Sequence, residues 1–176
     1  MKTILSLSAI LITLTLTAQS NTATWYLNNT SGNGIQSPTS VASGNYSTAM
    51  GYNTIADGLT STAMGKNTIA SGDYSTVMGG FTKASGNSST AMGYQTTASA
   101  PRAVAMGSGT LASGDSSTAM GIDTKASGGS STATGSLTEA SGTFSTAMGA
   151  STTASGDYST TMGSQTTSSG FISTAM

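Results

Sequence analysis

Residues 42–55 read ASGNYSTAMGYNTI (Ala42–Ile55), and this stretch decides the architecture. Eight more units of the same length follow, beginning at Ala56, Ala70, Ala84, Ala98, Ala112, Ala126, Ala140 and Ala154. A tenth starts at Ser168 and reaches Met176, its ninth position. No insertion or deletion disturbs the period of 14. A fixed period over most of a chain marks a stacked repeat, in which each unit buries its faces only against its neighbours. Each unit halves again, because ASGxxST and AMGxxTx share the pattern A-x-G-x-x-(S/T)-x.

Within a unit, positions 4–5 and 11–12 vary freely. They hold Asn45-Tyr46, Asp73-Tyr74, Tyr52-Asn53, Gly80-Phe81 and, once, Pro101-Arg102. Tolerance of Asn, Asp, Gly and Pro predicts turns there. Two five-residue strands remain, at positions 6–10 and from 13 to 3 of the next unit. Side chains alternate between the faces of a strand. Positions 6, 8 and 10 (Ser, Ala, Gly) therefore share one side, as do 13, 1 and 3 (Thr, Ala, Gly). These small-residue sides are expected to face each other across a thin interior. Inward hydroxyls are expected to bond backbone or stacked neighbours, as buried polar groups require. Helix is disfavoured, since two Gly per unit each cost ~1 kcal/mol relative to Ala. A coiled coil with a seven-residue period needs larger seam residues than these.

Outward positions 14 and 2 carry Lys83, Lys125, Glu139, Asp57 and many Ser, which reads as a solvated face. Outward positions 7 and 9 carry Thr and Met. Apart from Met1, every Met sits at position 9: Met50, Met64, Met78, Met92, Met106, Met120, Met148, Met162 and Met176, with only Thr134 interrupting. A Met stripe outside a roll is a long apolar patch, and such patches mark interfaces. Alternation alone leaves open the converse arrangement, with Met inside and Ala outside. A 14-residue register also places Lys125 beside Glu139, and Pro101 at a corner with no break in stacking.

Composition removes most other functions. Thr, Ser and Gly (33, 32 and 23 residues) make up half of the 176 residues, and only 6% are charged, against a usual ~25%. The net charge is −1, with five cations in all, too few for a nucleic-acid-binding face. With no His and no Cys, zinc, iron–sulfur and haem sites, nucleophile–His catalysis and disulfide scaffolds are not expected. Asp73, Asp115, Asp123 and Asp157 are too dispersed for a Ca²⁺ loop or a hydrolytic pair. The expectation is no enzyme activity, no cofactor and no metal. Residues 1–18, MKTILSLSAILITLTLTA, read as a signal peptide cleaved after Ala18. Residues 19–41 fit no full unit; with Trp25, Tyr26, Leu27, Ile35 and Pro38 they are expected to cap the stack of 42–176. No later run is long enough to span a bilayer.

STAMG recurs at 47–51, 61–65, 89–93, 117–121 and 145–149, and Ala103-Val104-Ala105-Met106-Gly107 varies it. The pattern resembles the YadA-like head repeats of trimeric autotransporter adhesins, whose units read x-S-x-A-x-G-x-x-S-x-A-x-G. The resemblance covers ~42–176. It implies an all-β, left-handed parallel β-roll of 14-residue rungs, three chains packed side by side, and a head on the bacterial surface. Family members continue into a neck, a stalk and an outer-membrane β-barrel, so an anchor C-terminal to this sequence is expected.

Together these features predict a secreted homotrimeric adhesin head, with Met50, Met64, Met78, Met92, Met106, Met120, Met148 and Met162 at the trimer interface. Turn aromatics Tyr46, Tyr74, Phe144 and Tyr158 are the candidate contacts for an extracellular matrix protein or glycan. A structural or tail-fibre-like trimeric segment without adhesive activity is the second reading. An ice-binding solenoid is the third, and its weakness is that the Thr column at position 13 faces inward.

Overall fold

The computed structural model describes residues 34–176 and the backbone of Tyr26–Leu27. The expected signal segment 1–18 and Trp25 lie outside the described residues. Each unit supplies one long and one short strand, such as Thr48–Tyr52 and Ile55–Ala56. Long strands stack on long strands with a register of one unit (Thr48↔Thr62, Met50↔Met64), and short on short (Ile55↔Ile69). The result is two sheets back to back, of 12 and 10 strands among the described residues, parallel throughout except for the first strand of the larger one. This is an all-β parallel solenoid of 14-residue rungs. At about 4.8 Å per rung, nine full rungs rise roughly 43 Å.

The first rung is one residue shorter than the rest. Ile35 pairs with Thr48 and Gln36 with Ala49, whereas Val41 pairs with Ile55. The corner through Pro38 absorbs the difference, and the Ser37 hydroxyl donates to the Gly51 carbonyl at 2.8 Å. Tyr26–Leu27 runs antiparallel to Ile35–Gln36 and occupies the outer edge of that strand. An uncovered edge would present a row of free N–H and C=O groups to other chains.

The long strand lies one residue later than alternation placed it, and the short strand is cut back at both ends. The long strand covers positions 7–11, not 6–10, and the short strand only 14 and 1, not 13 to 3. Hydrogen bonding accounts for both limits. Ser61 turns back, its N–H reaching the Gly58 carbonyl at 3.2 Å. The successive N–H groups of Asp57 and Gly58 converge on the single Ala70 carbonyl at 2.9 and 3.3 Å, so the regular ladder stops there.

The interior holds small side chains only. Ala56, Ser61, Ala63 and Thr68 are each 0% exposed, and this set recurs along the stack. Val77 is the largest of the fully buried side chains. Alanine is therefore inside and methionine outside, which excludes the converse arrangement. Position 10 departs from the expectation. Its glycines are not buried, although alternation placed them inward with positions 6 and 8. Gly79 shows why: its φ is +118°, and an added Cβ would run into the Gly93 carbonyl of the next rung. The direction is along the stack, so backbone geometry selects glycine there rather than the width of the interior.

Both corners are left-handed. Position 5 and position 12 have φ near +55° in every full unit, including Tyr46, Thr60, Phe81, Leu137 and Phe144; Gly109 is the one glycine among them. A non-glycine residue in this region costs roughly 1–2 kcal/mol. The corner N–H groups offset it by bonding the previous rung, as Thr60 N does to Asn45 O at 2.8 Å and Asn67 N to Tyr52 O at 2.9 Å. Pro101 sits at the neighbouring corner position, as expected. Pairing is continuous across it, with Thr90↔Val104 and Val104↔Thr118. The backbone N–H at position 4 takes no part in the backbone ladder, so proline removes no ladder bond there; it forgoes only a bond to the next rung's Asp of the kind Leu59 N makes to Asp73 Oδ1 at 2.9 Å. The strain that does appear is at Ala100, in place of the usual glycine. The glycine N–H bond to the next rung, 3.1–3.3 Å in other rungs, stretches to 3.5 Å at Gly86.

The hydroxyls inside the roll depart from expectation in part. Ser47, Ser89 and Ser145 donate to the carbonyl three residues earlier at 2.6–2.7 Å. The Oγ1 atoms of Thr54, Thr68, Thr82, Thr96, Thr110, Thr124, Thr138 and Thr152 have no partner. The backbone beside them is paired in the ladder, as where Thr68 O accepts from Ile55 N at 2.8 Å, and these hydroxyls add no second bond to it. An unpaired buried hydroxyl costs about 1–3 kcal/mol. Thr96→Val and Thr110→Val should therefore each stabilise the fold by roughly 1 kcal/mol or more, read from the denaturant midpoint at unchanged slope. Thr166→Val should do the reverse, because Thr166 Oγ1 donates to Met162 O at 2.8 Å.

Candidate functional site

The outer face of the long-strand sheet carries a column of like residues along the described stack. Strand alternation places the Thr of position 7 and the Met of position 9 on it together. Parallel register aligns Met50, Met64, Met78 and Met92 one above another, and continues through Met106 and Met120. Thr134 follows, then Met148 and Met162. The column spans roughly 38 Å at about 4.8 Å per rung. Met78 and Met148 are 36% and 39% exposed, and the other six are half-buried. No charged residue occurs in the Thr and Met columns at positions 7 and 9; Lys66, at position 11, is the one charged residue in these long strands. An apolar strip of this length on a single chain is larger than a scatter of surface hydrophobics.

The opposite face and the corners hold the charge. Lys125 and Glu139 are register partners on the short-strand sheet, with Nζ donating to Oε1 at 3.1 Å. Arg102 donates from one guanidinium nitrogen to both Asp115 oxygens at 2.8 and 2.9 Å. Both pairs are well exposed, so each contributes at most about 1 kcal/mol. Glu139→Gln should leave the thermal midpoint nearly unchanged. A large loss would mean that Glu139 does more than form an exposed pair.

Of the four corner aromatics singled out in the sequence, the structure brings together two. Phe144 and Tyr158 stack on successive rungs, ring centroids 5.2 Å apart at 17°. Phe171, which position-5 spacing alone misses, meets Tyr158 edge-on at 5.7 Å. The signal for it was its place at position 4, next to that column. Tyr46 and Tyr74 are exposed but two rungs apart, with Thr60 between them. On the other corner Phe81 and Tyr94 make an edge-on pair at 5.8 Å. Among the described residues no three carboxylates gather into a cation-binding group. Position 13 lies inside the roll, so the complete Thr column is not a surface that ice can reach.

This geometry agrees with the comparison with known families. The profile of the YadA head domain repeat, which spans two copies of the unit, matches residues 38–54, 56–82, 84–110, 112–138 and 140–166. The chain belongs to the YadA head domain repeat family. The gaps between matches fall on Ile55, Lys83, Leu111 and Glu139, all at position 14, so the matched units keep the register of the rungs. No individual curated protein matches the chain.

Proposed function

We propose that the chain is the head of a secreted bacterial surface adhesin, a homotrimer packed through the methionine face. Residues 1–18 act as its signal peptide, 19–41 cap the stack, and 42–176 form the rod. The observation that carries this reading is the uncharged pair of Thr and Met columns, continuous along the rod, in a chain of the YadA head domain repeat family. A thin interior of Ala, Gly and hydroxyls leaves each chain short of buried apolar area. Burying a Met side chain contributes about 1.5–3 kcal/mol, and three columns meeting at one axis supply that area. The corners then point outward and repeat along the rod. Aromatic groups there, with Phe144, Tyr158 and Phe171 foremost, are the contacts for a matrix protein or glycan, and three copies add avidity.

Adhesion is tested by displaying the trimer on beads and measuring retention on immobilised matrix proteins and glycans under flow. Saturable retention that falls with Phe144→Ser and Tyr158→Ser supports the reading. Trimeric rods that bind no surface would instead make the chain a structural fibre segment.

A further inference from the structure

The methionine face raises a chemical question that its role in packing does not answer. A packing column needs bulk and apolarity, which branched aliphatic residues also supply. Thioethers add a reactivity that those residues lack. Eight of them stand on one face at successive rungs, interrupted once by Thr134, and in a single chain every one is at least partly open to solvent. The fully buried positions of the roll hold no Met at all.

We propose that this face is an oxidant-sensitive assembly surface: its methionines are modified by peroxide in the unassembled chain and shielded in the assembled one. The inference rests on the trimer reading above. In the reaction, the methionine sulfur attacks one oxygen of hydrogen peroxide. The S–O bond forms as the O–O bond breaks, sulfur is oxidised by two electrons to the sulfoxide, and the second peroxide oxygen leaves as water after proton transfer. The product is a polar, chiral side chain in place of a flexible apolar one. On this face it is surrounded by Thr hydroxyls at position 7 and by backbone groups already committed to the ladder. With the backbone N–H groups so committed, only those Thr hydroxyls are left to replace the water that its new oxygen loses on assembly. Because the same change repeats at nearly every rung, modification removes the apolar strip as a unit. Oxidation before assembly blocks trimer formation, and assembly before oxidation protects the strip.

The test treats the purified chain with hydrogen peroxide in two states, with free methionine present as an internal reference. One sample is folded and assembled; the other is unfolded in guanidinium, oxidised, freed of both reagents and refolded. Peptide mass spectrometry locates the sulfoxides and sedimentation equilibrium gives the mass. The expected result is slow modification of Met50–Met162 in the assembled sample, about tenfold or more below free methionine. The refolded, oxidised sample is expected to lose the trimer mass, and methionine sulfoxide reductases should restore it. A variant with all eight Met replaced by Leu should assemble with or without peroxide.

Column methionines that oxidise as fast as free methionine in the trimer, or an oxidised chain that assembles normally, would overturn the proposal. So would a Leu variant that assembles untreated yet loses assembly after peroxide, since the damage would then lie elsewhere. An untreated chain that sediments as a monomer would instead remove the trimer reading, and this proposal with it.

Discussion

Gly79→Ala should abolish stable folding, while Gly80→Ala, the same change one residue on, should be tolerated. Gly79 has φ +118°, and its added methyl would collide with the Gly93 carbonyl and lie 2.9 Å from its carbonyl carbon. The obstacle is backbone on the adjacent rung, so no side-chain rotation relieves it. Relief requires parting two rungs, at the cost of the Met78↔Met92 and Gly79↔Gly93 pairing. Left-handed backbone adds roughly 1–2 kcal/mol for a residue with a Cβ. Together these place the substitution in the exceptional class, above about 4 kcal/mol. Gly80 lacks the positive φ, and its added Cβ would meet only the edge of the Tyr94 ring at 3.4 Å, an ordinary contact. Its replacement should shift stability by no more than about 0.5–1 kcal/mol, in the stabilising direction if unfolded-chain entropy dominates. Thermal unfolding followed by circular dichroism separates the two cases. Equal tolerance at both sites would refute the rung contact described for position 10.

The second large effect concerns assembly. Met92→Asp combined with Met106→Asp should yield unfolded or aggregated protein. These residues are register partners on successive rungs. In a trimer packed through this face, three copies of each carboxylate would meet without a cation. Burying an unpaired ion costs several kcal/mol, and the thin interior of one chain holds little in reserve. Folding and association are then coupled, so loss of the interface is loss of the fold. The control is Ser99→Asp with Ser113→Asp. Both sites are exposed at position 2, where Asp57 already occurs in another rung. That pair should fold and assemble normally. Sedimentation and circular dichroism decide the matter. Methionine variants that remain folded trimers would place the interface on another surface.

Much of this molecule is legible in one dimension. The period of 14, the two strands per rung and the placing of the position-8 Ala and the position-9 Met on opposite sides of one strand all follow from identity of residue type at fixed spacing. Lys125 lies beside Glu139 for the same reason, since register in a parallel stack is counted along the chain. Pro101 could be assigned to a corner because proline is excluded from a central ladder.

What the sequence left open concerns directions that spacing does not encode. Alternation separates two sides of a strand but is symmetric between them; only the distance between the sheets makes Ala the interior residue. Small size at position 10 looked like a narrow interior, yet glycine is there because the backbone takes φ near +120° with the next rung's carbonyl in the path of any Cβ. The left-handed corners were equally hidden, since Tyr, Thr, Phe and Leu occupy them and none of these prefers that conformation. There the ladder bonds of the stack override local preference. The pairing of Phe144 with Tyr158, and of Tyr158 with Phe171, likewise depends on how rings lean between rungs. Sequence alone determined the repeat, its register and the face each residue type occupies. The tertiary structure decided which face is inside and what each corner exposes, because both depend on contacts between rungs and between sheets rather than on order along the chain.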